Sequence, residues 1–175
     1  MGQFGAPLGF EGGFFCASAF LDVAFHEGYR YGAIGVSTWK TLFSGAFMTK
    51  IFCVIAGGSL GALCRYGTSV FAVRLFGNAF PWGTLIVNLV GCFLIGLSFA
   101  LAERASFVMN PTARLFFVTG FLGALTTFSS FAYETALSMK AGTTLIVIAN
   151  LLANNIGGIV LVFAGMWVGR LAFGS

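Results

Sequence analysis

The stretch Gly120 to Phe131 reads G-F-L-G-A-L-T-T-F-S-S-F, and it lies inside an apolar segment long enough to cross a bilayer. Its centre is wrong for a plain spanning helix. Thr126, Thr127, Ser129 and Ser130 put hydroxyls at membrane depth, and Gly120 and Gly123 loosen the backbone just ahead of them. Phe128 and Phe131 are three apart and share a helical face. Hydrocarbon tolerates a backbone break only where it is buried in protein or lines a wet cavity. The stretch therefore reads as part of a pathway or ion site. The plainer reading has the hydroxyls bonding back to carbonyls within an ordinary packed helix.

The surrounding composition fits a membrane setting. Of 175 residues, 58% are hydrophobic and 8% charged, and 22 are phenylalanine. The mean hydropathy is +0.96. Soluble domains carry roughly a quarter charged residues. The net charge of +4 comes from basic residues scattered singly, which excludes a nucleic-acid surface. Cys16, Cys53, Cys64 and Cys92 show no C-x-x-C spacing, and His26 is the single histidine, so a zinc site is excluded.

Four spans follow from the apolar runs: about 51–73, 80–102, 115–139 with an interruption near 124–127, and 143–168. The first carries the small stripe Gly58, Gly61, Ala62, Arg65 and Ser69, which lets a neighbouring helix approach closely. Arg65 is either a functional cation or a side chain snorkelling to the interface. The second opens with Pro81 in its first turn and Trp82 in the interfacial belt. Its face of Gly83, Thr84, Asn88 and Gly91 is small and polar. Asn88 reads as interhelical glue or as a donor aimed into a pore. Asn150 and Asn154, four apart in the last span, form a similar polar lane. Glu134 stands near an interface or bonds a partner. Basic residues between the spans favour the first end inside.

Residues 1–47 are different. Glu11, Asp22, His26, Glu27, Arg30 and Lys40 interrupt every apolar run, and no signal-peptide pattern is present. They read as a weakly ordered, partly interfacial extension, or as a segment preceding a natural start at Met48, with 48–175 forming the membrane domain.

Within the spans the polar groups are mainly donors plus one cation. That inventory suits an anion, and positive phenyl edges strengthen the case. Freed carbonyls at the break are compatible with a structural cation. Two other classes remain. A small proton-coupled multidrug exporter would want a deep early carboxylate where Arg65 stands. A structural membrane protein would use the amides and small residues as glue alone.

Three ordered motifs resemble those of the Fluc (CrcB) fluoride channels: G-G-S-L-G-A-L-C-R-Y at 57–66, F-P-W-G-T-L-I-V-N-L-V-G at 80–91 and the stretch at 120–131, with Glu134 following. The likeness covers roughly residues 48–170. It implies an all-α integral membrane fold: a four-helix subunit with a broken third helix, assembled as an antiparallel, dual-topology homodimer with two fluoride pathways. It implies a channel rather than an enzyme, letting fluoride leave the cell passively across the inner (plasma) membrane. By the same resemblance, Phe128, Phe131 and Asn88 would line the pathway. Thr127, Ser129 and Ser130 would form a polar track, with Asn150 and Asn154 facing it. Arg65 would make the vestibule electropositive, and the carbonyls of Gly123 and Thr126 would hold a central Na+. The chain departs from the family pattern at Ser130 for threonine, Ala124 for glycine and Asn154 for a smaller hydroxyl residue. If the start is Met48, mass spectrometry of the natively expressed protein finds no peptide from residues 1–47; such peptides would exclude it.

Overall fold

The computed structural model describes residues 45–104 and 110–173. Most of the expected extension at 1–47 lies outside them, and so does the centre of the loop between the second and third spans. Among the described residues all regular structure is helical. Helix α1 is Gly45–Phe76 and α2 is Trp82–Arg104. Helix α3 covers 111–125, α4 is Phe128–Lys140, and α5 covers 144–173. With α3 and α4 taken as one interrupted segment, four helices among the described residues are long and apolar enough to cross a membrane.

Local chemistry sets the boundaries. Gly77 adopts φ 74°, and its amide bonds the Val73 carbonyl at 2.9 Å. This left-handed cap, open to glycine at no steric cost, ends α1. Pro81 sits one residue before α2 rather than inside its first turn, and its carbonyl accepts from the Leu85 amide at 3.1 Å. The Asn110 side chain accepts from the Thr112 amide at 3.0 Å, and Pro111 follows as the first helical residue of α3. Gly142, at φ 72°, turns the chain between α4 and α5.

Two stretches wind more widely than an α-helix: Leu115–Leu122 within α3 and Ala153–Gly157 within α5 are π-helical. Neither was expected from the pattern of apolar residues. Such widened turns occur mostly inside α-helices and often at functional sites.

Glycines hold the helices together as two close pairs. In the first, α1 packs on the widened part of α3. A methyl at Gly57 would collide with the Phe116 carbonyl, and one at Gly61 with the Phe121 carbonyl. In the second, α2 packs on the last part of α5: Gly96 faces the Val162 carbonyl and Gly165 faces that of Phe93. Helices in lipid gain little from hydrophobic association, so this close van der Waals packing carries much of their attraction. The stripe expected on the first span needs one correction. Gly57, not Gly58, lies in the contact line with Gly61, and Gly58 only grazes the Gly120 carbonyl. Gly120 is likewise a packing residue: a side chain there would lie 2.8 Å from the Val54 carbonyl and 3.0 Å from the Gly57 Cα.

Helix α2 is central. A third of its apolar window (33%) is buried within the subunit, against 11% for α1. Its Val87 meets Leu122 and Leu125 of α3 in the small apolar core, with Leu94, Ile95, Phe117 and Phe121 around it. Replacing Gly61 with Ala should lower thermal stability by about 1–3 kcal/mol through overpacking. Gly67→Ala should not, because among the described residues nothing lies within 4 Å of a side chain there. Thermal unfolding of the two variants in one detergent checks the contrast.

Candidate functional site

The break falls at two residues. Thr126 (φ −80°, ψ 154°) and Thr127 (φ −153°, ψ 116°) are extended, so α3 stops and α4 restarts within the same span. Such a break frees the last carbonyls of one helix and the first amides of the next, each costly to leave bare in an apolar medium. The sequence supplies partners locally. The Thr126 hydroxyl bonds the Leu122 carbonyl at 3.1 Å. The Thr127 hydroxyl caps α4 by accepting from the Ser130 amide at 3.2 Å. It also lies 3.2 Å from the Ser129 hydroxyl and donates to that of Ser130 at 3.1 Å.

The decisive partner comes from α2. The Asn88 side chain takes up both polar groups of the Thr127 backbone. Its Oδ1 accepts from the amide at 2.8 Å, and its Nδ2 donates to the carbonyl at 3.2 Å. An asparagine amide is here doing what a neighbouring peptide does in a sheet. Below it, Gly91 leaves room for the Thr126 methyl, against which a Cβ would collide.

From Asn88 the polar contacts run on into α5. Its Nδ2 also donates to Asn154 Oδ1 at 2.9 Å. Asn154 Nδ2 donates to Asn150 Oδ1 at 2.8 Å and to the Asn150 carbonyl at 3.1 Å. Asn150, 1% exposed, donates to the Thr135 hydroxyl at 2.9 Å, which donates to the Phe131 carbonyl at 2.7 Å. The two amides expected on one face of the last span are thus bonded to each other.

Phe128 and Phe131 stand in the first turn of α4. Their ring centroids are 5.6 Å apart at 58°. They are adjacent, but they divide between inside and outside: Phe131 is 6% exposed and Phe128 71%. Ser129 and Gly123 are exposed, while Ser130 and Thr126 are half-buried. The break therefore has a sealed side toward α2 and α5 and an open side carrying Gly123, Phe128 and Ser129. Arg65, half-buried on α1, is not a partner in the hydrogen bonds that join the amides.

The family described as CrcB-like protein, Camphor Resistance (CrcB), matches residues 52–166, well over half of the chain and all of the break. The chain belongs to the CrcB family. Among its CrcB relatives, a protein of Salinibacter ruber named fluoride-specific ion channel FluC is 48% identical over 118 residues, covering 67% of this chain and 87% of the relative. The proteins of the same name from Parabacteroides distasonis and Dehalococcoides mccartyi are 42% and 44% identical, covering 94% and 95% of their own lengths.

Two polar residues take up bonds in this CrcB chain that the sequence did not specify. Thr135 ends the amide chain. Thr84 donates to Glu134 Oε1 at 2.7 Å, which supplies the partner expected for that carboxylate. Glu134 Oε2 is buried with no partner among the described residues, beside a cavity of about 290 Å³ that Ser69 and Ser138 also line. Thr84 is one helical turn before Asn88, and that spacing was the available signal. Thr84→Val leaves both Glu134 oxygens bare and should cost about 1–3 kcal/mol, whereas Thr84→Ser keeps the donor and should cost less. Thermal unfolding of the pair checks this.

Proposed function

We propose that this chain is a fluoride-selective channel, and not an enzyme, that lets fluoride leave the cytoplasm passively across the inner (plasma) membrane. What carries the proposal is that the whole break, with Asn88 and the phenylalanine pair, lies inside the CrcB match, and that relatives similar over two thirds of the chain are named for fluoride. The chemistry agrees. A small anion gives up a tightly held water shell only to several donors at once. Around the first turn of α4 the hydroxyls of Ser129 and Ser130 and the positive edges of Phe128 and Phe131 offer them, and the Thr127 hydroxyl, which donates to Ser130, orders that polar track. Asn88, Asn150 and Asn154 back that track, and Arg65 raises the local anion concentration at a vestibule.

A second copy of the chain completes this reading. The open side of the break would face hydrocarbon in a lone subunit, which irregular backbone does not tolerate. An antiparallel, dual-topology homodimer covers it and gives two fluoride pathways. The C-terminal carbonyls of α3 lose their helical partners where the chain turns extended at Thr126. Such uncharged oxygens suit a hard monovalent cation, so the carbonyls of Gly123 and Thr126 would hold Na+. A bound Na+ would offset the negative end of α3 and tie the two breaks together.

Liposomes holding the purified protein should release fluoride rapidly and chloride hardly at all, as read by ion-selective electrodes. Phe128→Ile and Phe131→Ile should each slow the initial fluoride rate by roughly tenfold, the equivalent of the about 1.5 kcal/mol that an aromatic edge contact contributes. Unchanged release from the double variant would remove the rings from the pathway. No release from folded wild-type protein would turn attention to proton-coupled export of organic cations.

A further inference from the structure

We propose that Asn154 is a positioning residue, which fixes the backbone of the break by orienting the Asn88 amide, rather than a ligand of the permeating ion. The inference deepens the channel reading and rests on it for its functional meaning.

Backbone groups set the direction of each bond. Thr127 N–H can only donate, and it bonds Asn88 Oδ1. The carbonyls of Thr127, Asn150 and Phe131 can only accept, and they receive Asn88 Nδ2, Asn154 Nδ2 and the Thr135 hydroxyl. These backbone groups fix which way each side-chain amide points, so no amide in the chain is free to flip. Every link then runs the same way: Thr127 N–H to Asn88, Asn88 to Asn154, Asn154 to Asn150, Asn150 to Thr135, Thr135 to the Phe131 carbonyl. Aligned bonds polarise one another and strengthen the series. The series begins at the residue before α4 and ends one turn inside it, having crossed α2 and α5. It closes a loop against one face of α4.

Asn154 is the member for which an asparagine is most specifically needed. It must accept from Asn88 on one side and donate to two Asn150 oxygens on the other. A carboxylate at this place would keep the first contact and set acceptor against acceptor in the others. An apolar side chain would remove all of them. Asn88 has two N–H bonds, and Thr127 and Asn154 take both. While this arrangement holds, Asn88 has no donor left for an anion. Its contribution is then to hold Thr127, and Asn154 contributes by holding Asn88.

Hydrogen exchange at the Thr127 amide reads this directly, by NMR on the full chain in detergent, with fluoride efflux measured alongside. Asn154→Leu and Asn154→Asp should each speed Thr127 exchange by roughly fivefold to tenfold, the loss of about one hydrogen bond. The Val162 amide in the α2–α5 contact should hardly change. In an Asn88→Ala background neither change at 154 should speed Thr127 exchange further, because the intermediary is gone. Unchanged Thr127 exchange in both single variants overturns the proposal, and so does an additive effect on top of Asn88→Ala. If Asn154→Leu fails to fold, the near-isosteric Asn154→Asp decides alone. Wild-type protein that releases no fluoride refutes the channel reading by itself, since the exchange result stands or falls independently of flux.

Discussion

An extended pair of residues in the middle of a membrane span is viable only if its peptide groups are bonded, and here one asparagine bonds both groups of the critical residue. Asn88 holds the N–H and C=O of Thr127 at 2.8 and 3.2 Å. Without that pairing, two backbone groups would be left bare in a medium of low dielectric, at several kcal/mol each. The rest of the site follows from the clamp. It sets where α4 restarts, so Thr127 can cap the new helix through Ser130, and Phe131 turns inward while Phe128 turns outward. It also requires α2 to lie against the break, which Gly91 permits by giving way to the Thr126 methyl.

The glycine contacts supply the frame in which the clamp works. They join α1 to α3 and α2 to α5 so closely that backbone oxygens nearly touch Cα atoms. The clamp and the Val87, Leu122 and Leu125 cluster then connect one pair to the other. The polar chain itself lies on the seam between the α2–α5 pair and α4. Side-chain amides can bridge such a seam, since each can donate to one helix and accept from another.

Much of this arrangement was legible in the sequence. Apolar runs gave the spans because lipid forces helices to be apolar around their whole girth, and clustered hydroxyls at Thr126–Ser130 marked the break to within a residue or two. Asn88, Asn150 and Asn154 stood out because an amide in hydrocarbon must find partners. Other features depended on geometry that no local pattern carries. Gly57 and Gly58 are equally small, and which of them meets α3 depends on the Phe116 and Phe121 carbonyls. Those carbonyls are set by a π-helical turn whose sequence, L-F-F-V-T-G-F-L, looks like any apolar helix. Thr84 read only as part of a small polar face, and Thr135 passed unnoticed, because threonine in a helix ordinarily satisfies itself; only the approach of α2 and α5 to α4 gives them outside partners. That Asn88 grips backbone rather than pointing into open space was undecided until the chain 39 residues away was in place.

The length of α1 has a consequence for how the break is seated in the bilayer. Its 32 residues extend for about 48 Å, well beyond a hydrocarbon slab of about 30 Å. Lys50 and Arg74, both exposed, stand 24 residues apart, about 36 Å along the axis. With their long stems reaching for headgroups, they act as two floats on one rod. Because Gly57 and Gly61 lock that rod to α3, tilting it to suit a thinner membrane would carry the first half of the broken span with it. Mismatch between protein and lipid would then be felt as torque at Thr126 and Thr127, the least helical point in the span, so bilayer thickness becomes a mechanical input to the site.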